Sequence, residues 1–134
     1  MNEATDEAEA PWAALMRSPA MVTLGGEMIS WEEGRAVLRF PVREEWMNPL
    51  GQLQGGIFAA MMDGAMAVAA LGIATATLQV SILRPVSAGM LTVTGEVVKA
   101  GRRVIYAEAE ARDEAGRLVA RGNQSGLPRN ESGR

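Results

Sequence analysis

Residues 48–63 read NPLGQLQGGIFAAMMD, and the last of them, Asp63, is the only charged residue between Glu45 and Arg84. The residues on both sides of Asp63 are apolar, which is typical of a buried helix rather than an amphipathic one. We therefore predict a buried helix over residues 55–71. Only a sheet on all accessible sides explains a helix this apolar.

The carboxylate of Asp63 needs its own explanation. An ionised carboxylate is costly to bury unless something pairs with it. We expect this group to be hydrogen-bonded, protonated, or facing a cleft. Two interpretations stay open: Asp63 braces the core, or it is a catalytic base, since catalytic acids and bases occupy such environments.

Composition excludes several kinds of chemistry. The 134 residues suffice for one domain, and a net charge of -3 argues against a nucleic-acid partner. The chain has no histidine and no cysteine, so disulfides, thiolate nucleophiles, Cys/His zinc sites and imidazole triads are excluded. Acid–base chemistry must fall to Asp, Glu, Lys or Tyr. We expect no metal or redox cofactor.

A membrane location is not expected. A span over residues 55–73 would hold Asp63 at its centre, which costs about 2.5 to 3.5 kcal/mol on an insertion scale. Residues 1–7 are acidic and lack the features of a signal peptide. We predict a cytoplasmic protein without a membrane partner.

Periodicity predicts the other elements. A short helix over residues 11–17 ends at Ser18-Pro19, and Gly72 stops the long helix. The alternation of apolar and polar residues predicts six strands, over residues 21–31 (with a bulge at Gly25-Gly26), 35–42, 75–82, 90–99, 103–113 and 117–126. In the third strand, the residues assigned to one hydroxyl-rich face are Thr75, Thr77, Gln79 and Ser81.

Strands on either side of one helix indicate an α+β fold with an antiparallel sheet curled around that helix. Residues 1–19 form a tail and a short helix, residues 20–126 form the single domain, and residues 127–134 form a disordered tail.

Four features of the sequence resemble a known family. They are Asn48, the run Gln54-Gly55-Gly56, Asp63, and a Thr-Ala-Thr strand that ends in Leu83-Arg84-Pro85. Over roughly residues 20–126 the chain resembles the hot-dog-fold acyl-CoA thioesterases of the phenylacetate-degradation type.

The resemblance implies a homodimer or homotetramer with acyl-CoA as substrate and the active site between subunits. It implies that Asp63 is the nucleophile or the general base, and that the Gly55 N–H polarises the thioester carbonyl. It further implies that Asn48 places substrate or water and that Thr75 lies beside the acid. The chain departs from the family at Gln54, where a histidine is usual. Glutamine can donate a hydrogen bond there but cannot carry a titrating proton.

The residues alone support part of this site. A helix N-terminus offers free N–H groups, and Gly55-Gly56 lacks side chains that would block a ligand oxygen, as an oxyanion hole requires. Close helix packing is the alternative explanation of the two glycines. Gly55 and Asp63 are eight residues apart, or about 12 Å along a helix, so acting on one carbonyl requires a second copy of the chain.

Basic residues are expected to bind the phosphates of coenzyme A. For each basic residue, an ordinary solvated surface charge is the alternative explanation. The candidates are Arg84, Lys99, Arg102, Arg103 and Arg121, of which the turn at Arg102-Arg103 is preferred. The methionines at 61, 62 and 66 are assigned to the core, with an acyl tunnel as the alternative.

Acyl-CoA hydrolysis is the leading function. A hot-dog hydratase is disfavoured because those enzymes pair their acid with a histidine. A non-catalytic acyl-CoA-binding protein is the third reading, and the acyl group and the choice between dimer and tetramer stay open.

Overall fold

A computed structural model describes residues 10–129, which form one antiparallel sheet packed against one long helix. The helices are α1 (Ala13–Met16), α2 (Pro19–Leu24) and α3 (Gly55–Ala69), with a 3-10 turn at Glu44–Trp46. The strands are β1 (Glu27–Glu32), β2 (Arg35–Pro41), β3 (Ile73–Ile82), β4 (Met90–Ala100), β5 (Ile105–Arg112) and β6 (Leu118–Pro128). The predicted α+β architecture is confirmed.

The sheet has the strand order β1-β2-β4-β5-β6-β3, and every neighbouring pair is antiparallel. The order leaves β1 and β3 at the two edges. The long helix α3 follows β2 in the chain and crosses the sheet before β3 begins at the far edge. No helix within residues 10–129 is long and apolar enough to cross a membrane.

The sheet covers only one face of α3. Phe58, Met61, Met62 and Met66 are almost fully buried against the sheet, which confirms the methionines as core residues. The opposite face keeps partial exposure, and its residues are Gly56, Ala59, Ala60, Asp63, Gly64 and Ala67. The expectation of a sheet on all sides is therefore wrong for a single chain. Small side chains explain the error, because they read as apolar in sequence yet bury little area.

The helix and the sheet approach each other closely at Gly95 in β4. A Cβ at this position would lie 2.5 Å from the carbonyl oxygen of Ala65 and 2.8 Å from the backbone N of Met66. Both atoms belong to the backbone of α3, so they cannot turn away as a side chain could. Gly95 therefore sets the distance at which α3 rests on the sheet.

The N-terminal region differs from the prediction. Residues 21–24 lie in α2 rather than in the first part of the strand predicted over residues 21–31, and β1 starts only at Glu27. Ser18 accepts a hydrogen bond from the Met21 N–H at 3.3 Å, and Pro19 occupies the first helical turn. Ser18-Pro19 therefore starts a second helix, as a capping residue followed by proline does. The predicted bulge at Gly25-Gly26 is absent, since Gly25, with φ of 72°, ends α2.

A β-bulge in β3 corrects a second prediction. Thr75 pairs with Gly126 and Thr77 pairs with Ser125, so two steps along β3 match one step along β6, and Ala76 is the extra residue. Such an extra residue reverses the alternation of faces. Thr75 therefore lies on the α3 side of the sheet, opposite to Thr77. The predicted single hydroxyl-rich face is wrong at this residue.

At the C-terminal end, β6 extends to Pro128, because Pro128 and Leu127 pair with Ile73 and Ala74 of β3. The tail predicted from residue 127 therefore cannot include these two residues. Arg129 is the last described residue and belongs to no strand or helix. Residues 130–134 of that predicted tail and residues 1–9 of the predicted N-terminal tail lie outside the described residues.

Candidate active site

Asp63 lies on the partly exposed face of α3, at the boundary between the helix and β3. Its Oδ1 accepts hydrogen bonds from the Thr75 hydroxyl at 2.8 Å and from Nε2 of Gln124 at 2.9 Å. Asp63 itself is half-buried. Among residues 10–129 it takes part in no salt bridge. The carboxylate is thus held by two neutral donors while one side of it stays accessible.

Gln124 is the residue that the sequence analysis missed. It lies in β6, its side chain is 1% exposed, and no other polar side chain in the described part of the chain is buried. A second hydrogen bond joins its Nε2 to the main-chain oxygen of Asp63 at 3.3 Å. A signal was present in the sequence. In the alternation of β6, Gln124 shares the core-facing positions with Ala120, Gly122 and Gly126, where a polar residue is exceptional.

The bulge at Ala76 brings Thr75 to this site. In an unbulged strand the residues on the same face as Leu78 would be Ala76 and Ala74. The extra residue shifts Thr75 onto that face, where its hydroxyl reaches Asp63. The expectation that Thr75 lies beside the acid agrees with this geometry.

The first turn of α3 presents free donors. The Gln54 carbonyl accepts hydrogen bonds from Ile57 at 3.0 Å and Phe58 at 3.3 Å. Neither the Gly55 N–H nor the Gly56 N–H donates a hydrogen bond to any residue of the 10–129 segment. This pair of donors meets the first requirement for binding a ligand oxygen or an anion.

Packing within the chain explains why residue 55 is a glycine, but it does not explain the glycine at residue 56. A Cβ on Gly55 would lie 3.1 Å from Cδ1 of Ile82, so the side chain of Ile82 occupies the available space. A Cβ on Gly56 would meet no atom of residues 10–129 within 4 Å, and Gly56 is exposed. Space within the chain therefore does not account for Gly56, and the space beside it is open to a ligand or a partner.

The remaining predicted residues of the segment lie before the helix. Gln54 is exposed, its side chain makes no capping hydrogen bond, and its N–H donates to Trp46 O at 3.0 Å. The Asn48 Oδ1 accepts hydrogen bonds from Leu50 N at 2.9 Å and Gln52 N at 3.1 Å. The Asn48 oxygen therefore stabilises its own loop. Only the Nδ2 group of Asn48 would be available to contact substrate.

One chain does not join the two halves of the predicted site. Gly55 and Asp63 belong to the same unbroken helix, which separates them by about 12 Å along its axis. Asp63, Thr75 and Gln124 form one group, and the Gly55-Gly56 donors lie at the far end of α3.

The basic residues predicted to bind coenzyme A do not all lie together. Lys99, Arg102 and Arg103 line one pocket at the turn between β4 and β5, together with Tyr106. Arg121 lies instead in a groove on the face of the sheet remote from α3. Arg84 follows β3 at the opposite end of the sheet from that turn. A single chain therefore brings together three of the five predicted residues. Between residues 10 and 129 there is no acidic cluster suited to a metal ion.

Part of the surface next to Asp63 is apolar and is left uncovered by residues 10–129. Within these residues β3 is an edge strand of ten residues, so one row of its backbone N–H and C=O groups has no strand there to pair with. Leu78 and Ile82, on the α3 side of β3, are 40% and 46% exposed. Asp63, on the open face of α3, contacts this strand through the Thr75 hydroxyl. An edge of this kind is a template for pairing with a second chain.

Comparisons with known proteins give a consistent result. A family model described as "Acyl-CoA thioesterase N-terminal domain" matches residues 43–124. A candidate esterase of Saccharolobus solfataricus is 35% identical over 101 residues, which cover 71% of this chain and 72% of that protein. The 1,4-dihydroxy-2-naphthoyl-CoA hydrolase of Listeria monocytogenes is 27% identical over 104 residues, covering 72% and 85%.

A solved structure agrees with these matches. A candidate thioesterase of Ralstonia eutropha, described as a phenylacetic acid degradation-related protein, has 27% sequence identity and a TM-score of 0.80. The match covers 88% of this chain and 99% of that one. The two chains therefore share most of their fold.

Proposed function

The chain belongs to the hot-dog acyl-CoA thioesterase family, and from this premise we propose that it hydrolyses an acyl-CoA thioester to a free acid and coenzyme A. One observation carries the proposal. The carboxylate of Asp63 is held at Oδ1 by Thr75 and Gln124, and Asp63 lies half-buried on the face of α3 that the sheet leaves uncovered. A carboxylate held in this way can attack a thioester or activate water.

Two routes are compatible with this geometry. In the first, Asp63 takes a proton from water, the hydroxide attacks the thioester carbon, and the thiolate leaves with the proton held by Asp63. In the second, the carboxylate attacks the carbon itself and expels the thiolate, which solvent protonates, and water then hydrolyses the mixed anhydride. Both routes consume one water and release one acid and one thiol.

Each route develops negative charge on the carbonyl oxygen. The free N–H of Gly55, at the positive end of α3, is the proposed donor to this oxygen, and the open space at Gly56 lets the substrate approach. Because Gly55 and Asp63 are separated along one helix, we assign the donor and the acid of each site to two different subunits. Asn48 and Gln54 lie on the donor side of this composite site.

The surface beside Asp63 supports a two-fold dimer. Pairing the edge strand β3 with β3 of a second chain would satisfy its free backbone groups and cover Leu78 and Ile82. It would also place the open faces of the two α3 helices side by side. A tetramer would consist of two such dimers.

Recognition of coenzyme A is proposed for the pocket of Lys99, Arg102 and Arg103, whose side chains offer donors to phosphate groups. The acyl group stays open among aromatic, medium-chain and hydroxylated acids. An aromatic acid is a reasonable first choice for testing, because the Listeria relative is named a hydrolase of 1,4-dihydroxy-2-naphthoyl-CoA.

A complementation experiment tests the composite site. Gly55→Pro removes the N–H at the first helical position, where proline is tolerated, and Gln54 already has the extended conformation that a following proline requires. Gly55→Ala is the matched control, because it adds the same Cβ beside Ile82 but keeps the N–H. Loss of activity in Gly55→Pro beyond that in Gly55→Ala would measure the N–H.

Co-expressing Gly55→Pro with Asp63→Asn then distinguishes the two arrangements. If donor and acid come from different subunits, one of the two sites in each heterodimer has both groups intact, and activity returns. If they come from the same subunit, every site lacks one group and the mixture stays inactive. Mass spectrometry of the purified mixture verifies that heterodimers are present.

A further inference from the structure

The Gln124 side chain makes contacts that packing alone does not require. Its Nε2 lies 2.9 Å from Oδ1 and 3.3 Å from the main-chain oxygen of the same residue, Asp63. Both atoms are acceptors, so the amide must turn its NH₂ group toward them. We propose that Gln124 is a positioning residue that fixes the Asp63 carboxylate and makes Oδ2 the reacting oxygen. This inference rests on the proposed function for its consequence in catalysis.

The hydrogen bonds of Asp63 are unevenly distributed. Oδ1 accepts from both Thr75 and Gln124, whereas Oδ2 accepts no hydrogen bond from the residues that the structure describes. Two donors on one oxygen, from two different strands, oppose rotation of the carboxylate about its χ2 torsion. They also occupy the lone pairs of Oδ1 and leave those of Oδ2 free to react. Proton transfer and direct attack would therefore both use Oδ2.

The Thr75 hydroxyl links the two side chains. It lies 2.8 Å from Oδ1 of Asp63 and 3.3 Å from Oε1 of Gln124, but it has one hydrogen to donate. The shorter distance and the charge of the carboxylate favour donation to Asp63. Once that charge is lost, by protonation or acylation, the hydroxyl can turn to Gln124. Oε1 of Gln124 is therefore an alternative acceptor within reach of the Thr75 hydroxyl.

A neutral amide is better suited than a cation to hold the Asp63 carboxylate in position. A buried arginine or lysine would pair with Asp63 and reduce its reactivity, besides the free-energy cost of burying the second charge. Gln124 supplies a directed donor without a charge. Its nearly complete burial also restricts its own rotamers, so the position of the donor is well defined.

The test compares two identical substitutions. Gln124→Met keeps the approximate volume but removes the donor, and Gln79→Met makes the same change on the exposed face of β3. Because the lost hydrogen bond is one to a charged group, kcat should fall roughly tenfold to a hundredfold in Gln124→Met while KM changes little. Gln79→Met should retain both constants. Wild-type kcat in a folded Gln124→Met protein would overturn the inference.

A second variant gives a readout that packing would not affect. Gln124→Glu keeps the shape but puts a carboxyl group within hydrogen-bond distance of Asp63, and two such carboxyls tend to share a proton. Because no charged group among residues 10–129 contacts the wild-type Asp63, this variant should need a higher pH than the wild type to reach its full kcat. An unchanged pH profile would count against the contact.

The crystal structures of the wild type and of Gln124→Met provide a test that needs no turnover. The carboxylate of Asp63 should rotate or occupy several orientations in the variant. An unchanged orientation would overturn the inference even in an active enzyme. Conversely, a wild type that hydrolyses no thioester would refute the proposed function, while a rotated carboxylate would still establish Gln124 as its positioning residue.

Discussion

The hydroxyl of Thr75 donates a 2.8 Å hydrogen bond to Oδ1 of Asp63, and this contact joins the edge strand β3 to the long helix α3. It depends on the bulge at Ala76, since without the extra residue Thr75 would face away from the helix. The carboxylate that accepts this hydrogen bond is the group on which the proposed reaction depends.

Asp63→Asn should lower thioester hydrolysis at least ~10²-fold, because an amide is neither a nucleophile nor a general base. The substitution is nearly isosteric, so the fold should persist, as circular dichroism can verify. Glu108→Gln, a matched change of an exposed acid on the opposite face of the sheet, is the control. Turnover is measured as release of free thiol, and near-normal turnover in Asp63→Asn would refute both proposed routes.

Gln54→His should leave the activity unchanged or raise it, if residue 54 contacts the thioester carbonyl across the dimer interface. The Gln54 side chain is exposed and makes no capping hydrogen bond, so the change should not disturb the start of α3. The measurement is kcat/KM with a panel of acyl-CoAs. A large loss would show that glutamine has a function of its own, and turnover appearing only in Gln54→His would favour a non-catalytic acyl-CoA-binding protein.

Gly95→Ala should destabilise the fold by about 3 kcal/mol, the upper part of the range for overpacking, because the new Cβ would collide with the backbone of α3. Gly56→Ala is the matched control. Its Cβ meets nothing within 4 Å, and alanine is the better helix former by up to about 1 kcal/mol. Urea unfolding measures both variants, and equal midpoints would contradict the close approach at Gly95.

Asp113→Asn should weaken the turn between β5 and β6. The backbone N–H of Arg117 donates to the Asp113 carboxylate at 2.9 Å, and this bond is the main cause that lowers the pKa of Asp113 below its ordinary value of 3.8. A lowered pKa in the folded state means that the ionised form stabilises the fold.

The contribution of Asp113 is therefore present above about pH 3.8, the ordinary value for an aspartate, and is lost as the pH falls through the lower pKa of the folded state. Thermal unfolding of Asp113→Asn and wild type should differ at neutral pH and converge in acid. Glu108→Gln again provides the exposed control. A difference in stability that does not shrink as the pH falls would exclude ionisation as its source.

Local patterns in the sequence account for most of the elements. The apolar run around Asp63 predicted α3, and alternation predicted β2, β4, β5 and β6 to within a few residues at each end. The strand predicted from Met21 failed because Ser18-Pro19 and Gly25 are helix-capping signals that outweigh a weak alternation.

The sequence by itself determined the central helix, its Gly55-Gly56 start and the unusual position of Asp63, because each of these depends on the periodicity or chemistry of one continuous segment. Only the tertiary structure decided what the carboxylate touches. The face of Thr75 depends on its register with β6, and Gln124 reaches Asp63 from 61 residues away. Both contacts depend on how the strands pair. The register of a strand is set by the strand it pairs with, so it cannot be predicted from the sequence of one segment.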